Sequence, residues 1–458
     1  MIRYDPPIRE VVASRALLAD RRFFSLWLSQ GLAQTAQNAV LFTLLVVVLQ
    51  ITGSSVHSSL LVFAFILPSI PMGMVVGVLL DRLPKGPVLV ATSLLRAGGC
   101  LLFFFFHGNE WVIYAISVGF ATSGLFFNPA VVSLIPSLVS RERLVTANSL
   151  YNFTLTASQL LGMVFLAPML LKSAGAEGMF LTGAVLFLAS AGLALRINVV
   201  QEEKQPEMPQ GALFGAIPKE FRESWRTLAS DPASFLALSQ LIMSSTLVLM
   251  FAILIPRYMN DVLQISPNNA ALLFAPTGIG ALLGLRFLPW LTKKGKNRLV
   301  IYGLLGIAAC LVLLALVKPL ADLMEVTPAQ ELNPGKFLKL TLLQTLTMAF
   351  AGPMGFCYAM LNAPAQTVLH ERAPAEMRGR IFATQVVSAN FISLLPLLVI
   401  GIITDLIGIA WVLVFLAAGV AAMAGASALV GRDQSPPRWP PPPREEVPTS
   451  IDTSGGLG

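Results

Sequence analysis

The sequence predicts an all-α membrane protein of about twelve transmembrane helices, arranged as two pseudo-symmetric six-helix bundles. Three observations predict it. Hydrophobic residues make up 55% of the 458-residue chain and charged residues only 12%, whereas a soluble domain is about a quarter charged. Apolar runs of roughly 20 residues, enough to cross a hydrocarbon core, recur along nearly the whole length. Basic residues gather in alternate turns between those runs.

Residues 1–22 carry Arg3, Arg9, Arg15, Arg21 and Arg22 without a long apolar run, and read as a cytoplasmic lead. Spans are expected near 23–51, 57–81, 87–106, 111–137, 146–171 and 177–196. A polar segment at 197–232 separates them from a second set near 233–256, 267–291, 297–317, 340–368, 379–404 and 408–431. The first run is too long for a signal-peptide core and lacks a small-residue cleavage site, so it stays as a span. In the polar segment Ile217, Phe221, Trp225 and Leu228 fall on one helical face. That face suits a helix lying on the inner membrane surface or a linker helix packed on the protein. Residues 432–458, with Pro436, Pro437 and Pro440 to Pro443, read as an extended or disordered cytoplasmic tail.

Arg82, Lys85, Arg141, Arg143, Lys204, Lys219, Arg222, Arg226, Lys293, Lys294, Lys296, Arg298, Arg372, Arg378 and Arg380 fall in the turns after even-numbered spans and in the central segment. The opposite turns hold Lys172, Arg257, Lys318, Lys336 and Lys339. This bias places both termini in the cytoplasm. The net charge of +7 therefore reflects membrane topology and implies no nucleic-acid partner. Cys100, Cys310 and Cys357 all lie in apolar runs and read as buried thiols. His57, His107 and His370 are too dispersed for a metal site, and no Gly-x-x-x-x-Gly-Lys-[Ser/Thr] phosphate loop occurs, which argues against ATP hydrolysis by that route.

The halves repeat in places. Leu28-Ser29-Gln30 matches Leu238-Ser239-Gln240, and Asn128-Pro129-Ala130 resembles Asn362-Ala363-Pro364-Ala365. Each of the latter leads into a basic turn, Arg141-Glu142-Arg143 and Arg378-Gly379-Arg380. Duplicated bundles with a substrate site between them are a common transporter construction.

Asp81 stands out in the turn Gly77-Val78-Leu79-Leu80-Asp81-Arg82-Leu83-Pro84-Lys85-Gly86. A carboxylate at a helix C-terminus opposes the helix dipole and needs a positive partner. Gly77, one turn earlier, allows a close helix approach. The pattern Gly-x-x-x-Asp-Arg-x-x-Lys resembles the signature loop of the major facilitator superfamily. With Leu94-Leu95-Arg96-Ala97 it is similar to the branch of macrolide- and siderophore-exporter-like permeases. The family loop usually carries two basic residues after Asp-Arg, whereas this chain keeps Lys85 alone.

The resemblance implies export of a small neutral or amphipathic molecule from a plasma (inner) membrane by a monomer without cofactor. Two bundles would rock about a midplane site lined by spans one, four, seven and ten. Gly77, Asp81, Arg82, Lys85, Arg96, Arg378, Gly379 and Arg380 would gate the inner side, with Asp81 held by the start of span eleven. A lipid or lysolipid flippase of the same fold is the alternative within transport, and a non-transporting receptor or scaffold outside it. A membrane-embedded enzyme would need clustered acidic or imidazole groups at depth, and none is legible.

Gln30, Gln34, Gln37 and Asn38 share one face of the first span. Gln240 and Ser244 in span seven and Asn362 and Gln366 in span ten are further polar candidates. Such groups either line a substrate cavity or hydrogen-bond one helix to another. Arg96 lies about two turns inside span three and needs a partner, for which Asp81 or Glu142 is expected. No Asp or Glu falls mid-span, so a proton site at membrane depth is not expected.

Overall fold

The computed structural model describes residues 17–69, 71–72, 76, 79–80, 83–140, 143–197, 222–265, 270–292, 295–325, 340–373 and 378–430. Among them all regular structure is helical. Helix α1 (Arg21–Thr52) starts where the Asp20 carboxylate accepts from the Arg22 and Phe23 amides, and ends at Gly53, whose φ of 66° closes it on the Leu49 carbonyl. Ser54 then caps α2 (Ser55–Ile66) by accepting from the Val56 amide. Next come α3 (Lys85–Phe106) and α4 (Glu110–Leu138), the latter capped by Asn109. Helix α5 (Leu144–Gln159) continues through a π-helical segment, Leu160–Leu166, into α6 (Ala167–Ala194). Gly175 breaks α6 with φ 69° and ψ −173°, a conformation open to glycine alone. The expected fifth and sixth spans meet at that break.

In the second half α7 (Pro232–Asp261) is capped by Asp231, and α8 (Ala270–Leu291), α9 (Lys296–Ala315) and the short α10 (Val317–Glu325) follow. Helix α11 (Leu342–Arg372) opens on a reciprocal cap between Thr341 and Gln344. It is followed by α12 (Arg378–Ile407) and α13 (Ile409–Val430), which meet at Gly408. Eight helices among the described residues are long and apolar enough to cross a membrane, and Ser55–Ile66 and Leu273–Leu288 are shorter apolar helices. Each expected span overlaps a described helix. The ninth ends earlier than expected, and α10 takes up its last residue: Lys318, Asp322 and Glu325 lower its hydropathy, yet Val317 and Ala321 are buried.

Helices α1 to α6 pack chiefly on one another, as do α7 to α13. The first half is centred on aromatic rings. Phe103 lies 5.9 Å from Phe120 and 5.7 Å from Phe180, and Phe120 lies 5.6 Å from Phe187. Phe105, Leu395, Leu406 and Phe415 project from the outside, as a surface solvated by lipid requires. Cys100 and Cys310 are buried and Cys357 partly so, and all three are free thiols. The described part of the central segment, helical at 222–230, packs on the protein: Leu228 is buried in the core and Trp225 meets the Phe235 ring edge-on at 6.3 Å.

The halves touch along two helix pairs, α2 with α12 and the π segment with α8, and α7 also reaches α1 and α2. Gly162 sits where any Cβ would collide with the Thr35 carbonyl of α1. Its bare backbone lets the π segment lie between α1 and α8.

Candidate functional site

Two ends of the molecule need distinguishing, the Gly53 end and the Lys85 end. Polar contacts between the halves, among the described residues, lie at the Gly53 end or along α2. The centre of that closure is Asp405, in the last turn of α12. Its Oδ2 accepts from the Ser54 hydroxyl at 2.6 Å and the Val56 amide at 3.4 Å, and its Oδ1 accepts from the Ser55 amide at 3.0 Å. The carboxylate thus caps α2 from the other half of the chain, using the free amides and positive dipole end of a helix N-terminus. Arg257 of α7 supports it: Nη1 donates to the Gly53 carbonyl at 2.7 Å and lies 4.0 Å from Asp405 Oδ1, while Nε donates to Asp261. Further along the pair, Asn390 donates to the Ser69 hydroxyl at 3.2 Å. At Gly401 a Cβ would strike the Ser59 hydroxyl and the Ser55 carbonyl, so glycine sets the closeness of α12 to α2.

In the sequence Asp405 is one of the carboxylates that lie away from mid-span. The device expected for Asp81, a carboxylate at one helix end held by another helix N-terminus, occurs here at Asp405, where α12 ends against the start of α2. Asp405 followed by Gly408, with Ser54 in the first turn of the facing hairpin, was the available signal. Gly77, Asp81 and Arg82 lie outside the described residues. Lys85 opens α3, and Arg378, Gly379 and Arg380 open α12, at the Lys85 end. That end is also tied within the second half by Arg372 on Asp231 at 2.9 Å and by Lys296 with Glu371.

The amide stripe of α1 divides by burial. Gln30 and Gln34 are buried and bonded inside the first half, Gln30 to the Tyr151 carbonyl at 3.4 Å and Gln34 to Asn128 Oδ1 at 2.8 Å. Gln37 and Asn38 are partly exposed. In the second half Gln240 donates to the Ser427 hydroxyl at 3.0 Å, and Asn362 donates to the Ser244 and Tyr358 hydroxyls at 2.9 and 3.0 Å. Gln366 accepts from Gln385 at 3.3 Å. Gln240 and Ser244 are buried, whereas Asn362 and Gln366 are partly exposed. These contacts are within one half, so each polar group also serves as a helix-to-helix bond.

Arg96 is a further candidate named from the sequence. It is 1% exposed, midway along α3. Its Nη1 donates to Gln37 Oε1 at 3.1 Å, and its guanidinium lies 4.6 Å from the Phe127 ring centre and 5.3 Å from that of Phe187. The expected partners Asp81 and Glu142 are outside the described residues.

The amino-acid sequence that builds this arrangement is matched by a family model over residues 26–328 and 337–456. The chain belongs to the Major Facilitator Superfamily. It is 22% identical over 373 residues to the multidrug efflux pump Tap of Mycolicibacterium fortuitum, covering 79% of this chain and 84% of Tap. It is 29% identical over 189 residues to YjbB of Bacillus subtilis (strain 168), described as an uncharacterized MFS-type transporter. It spans less than half of YjbB, 44%, and 35% of a second Bacillus subtilis relative, YkuC. Among solved structures, a bacterial homologue of the human lysosomal transporter Spinster, inward-facing and unoccupied, superposes with a TM-score of 0.70 at 14% identity, covering 92% of this chain and 99% of that one. The peptide-transporter-family protein PepTSo gives 0.67 at 14% identity, covering 90% and 98%. The major facilitator fold and a multi-pass membrane location follow.

Proposed function

We propose that this superfamily transporter exports a small neutral or amphipathic molecule by alternating access. The halves 23–196 and 233–431 rock about a site between them, and the chain works as a monomer in the plasma (inner) membrane. The Gly53 end faces outward. The Lys85 end, both termini, the 197–232 segment and the tail face the cytoplasm, on the strength of the basic turns. Gln37, Asn38, Asn362 and Gln366 meet the substrate. Gln30, Gln34, Gln240 and Ser244 hold the helices that carry them.

The observation that carries this reading is the Asp405 closure. A cap made by one half on the other half's helix N-terminus is a contact that must break if the halves are to separate there, and it is local enough to re-form. The described conformation is then closed outward. Its counterpart at the inner end would be Asp81 on the start of α12, with Gly77, Arg82, Lys85, Arg378, Gly379 and Arg380 around it. The efflux activity of a relative covered over most of its length supports the direction.

The test is accumulation of hydrophobic dyes in inverted membrane vesicles with and without the protein. Faster dye entry in the protein-containing vesicles is expected. Equal entry across a panel of dyes of differing charge would reject the export reading.

A further inference from the structure

Arg96 presents an unsolved charge balance. Burying a cation without a counter-ion is strongly destabilising unless hydrogen bonds and neighbouring charge compensate. Here the compensation is partial: one amide oxygen, from Gln37, and two aromatic faces. Nε and Nη2 are both buried and have no hydrogen-bond partner. Among the described residues no carboxylate reaches the guanidinium.

The two idle atoms are not arbitrary. In a guanidinium, Nε–H and the adjacent Nη2–H point in parallel and form the side-on fork that accepts both oxygens of a carboxylate. Nη1, on the other edge, is the one already used by Gln37. Phe127 and Phe187 hold the plane of the group and provide apolar walls. Gln37, which meets the guanidinium, and its neighbour Asn38 are partly exposed on α1. A single cation between aromatic rings fits a planar monoanion with an apolar body. A compact dianion would leave excess negative charge in the same apolar surroundings.

The geometry points to Arg96, with Gln37, as a subsite for the carboxylate of an amphipathic monoanionic substrate. This rests on the transporter reading and narrows it: the transported class carries one carboxylate on an apolar body. Gln37 orients the guanidinium through Nη1, and the ligand carboxylate takes Nε and Nη2.

The test uses the full chain in lipid nanodiscs and the fluorescent probe 11-(dansylamino)undecanoic acid, its methyl ester, and the corresponding amine. The acid should bind at least tenfold more tightly than the ester, and the amine more weakly than both. Arg96→Gln should remove the preference, so that acid and ester bind alike. Arg96→Lys, which keeps the charge but not the fork, should keep at most a small part of it. Should the Arg96 variants fail to fold, Gln37→Glu tests the same point. It places a carboxylate 3.1 Å from Nη1 in the position of Oε1, and should raise the melting temperature and abolish acid preference. Equal binding of acid and ester by the wild type, or acid preference that survives Arg96→Gln or Gln37→Glu, would overturn the assignment. Because binding is read at equilibrium, acid preference without dye movement in vesicles would reject the export reading and leave the subsite standing. Dye movement without acid preference would do the reverse.

Discussion

Asp405→Asn removes one charge and little volume, and it separates the closure at the Gly53 end from the fold. The wild-type carboxylate accepts from the Ser54 hydroxyl and the Ser55 amide at 2.6 and 3.0 Å. Hydrogen bonds to an ionised group contribute about 1.5–3 kcal/mol each, and a helix N-terminus adds about 0.3–1 kcal/mol for a nearby anion. Asn keeps one acceptor oxygen, and the Asp405 side chain is 25% exposed, so water screens part of what is lost. A net loss of about 2 kcal/mol from the state closed at the Gly53 end is the resulting figure. At about 1.4 kcal/mol per factor of ten, the ratio of molecules closed at the Gly53 end to molecules open there should fall about 30-fold. The assay is pulsed electron spin resonance between labels at Ile51 and Leu406, exposed positions on opposite halves at this end, with Cys100, Cys310 and Cys357 replaced. The long-distance population should grow in the variant while its melting temperature stays within a few degrees. A distance distribution identical to wild type, in a variant that has lost the cap, would show that Asp405 decorates the closure without holding it.

Gly401→Val should push the same equilibrium in the same direction, because its side chain meets the Ser55 carbonyl and Ser59; a label distance at the Gly53 end unchanged from wild type would refute the packing reading. Asp81→Asn should lower transport with little loss of folded protein, measured as vesicle flux per folded molecule by size-exclusion chromatography; wild-type flux would remove the inner latch. Cysteines placed in 197–232 should be shielded from an impermeant thiol reagent in intact cells, and external labelling there would invert the topology.

Much of the fold was legible because its signal is local. Apolar run length finds the helices, and Asp20, Asn109, Asp231 and Thr341 mark helix starts by residue type alone. What escaped depends on residues far apart in sequence. Gln34 was recognisable as a polar group on an inward face, but its partner Asn128 is 94 residues away. The depth of Arg96 could be counted along α3, yet a carboxylate was the natural expectation for its partner. The described contacts are Gln37 and two aromatic rings, which no periodicity would select. Asp405 was hardest, since its meaning lies in Ser54, 351 residues earlier. Helix α10 was missed for a different reason: charges on its exposed side dilute the average that hydropathy reads.

The Gly175 break has a mechanical side. A single residue, with two free backbone torsions, joins the helix that carries the π segment to the helix that carries Phe187. There is no slack loop to absorb displacement between them. The first of these helices bears on α8 in the opposite half through Leu160 and Phe165, which lie against Gly278. The second places the Phe187 ring against the Arg96 guanidinium. A joint of one residue keeps the two arms close, so a displacement at the α8 contact meets no flexible connection before the helix that carries Phe187. The ring beside Arg96 and the interface between the halves are then parts of one lever, with its fulcrum at Gly175.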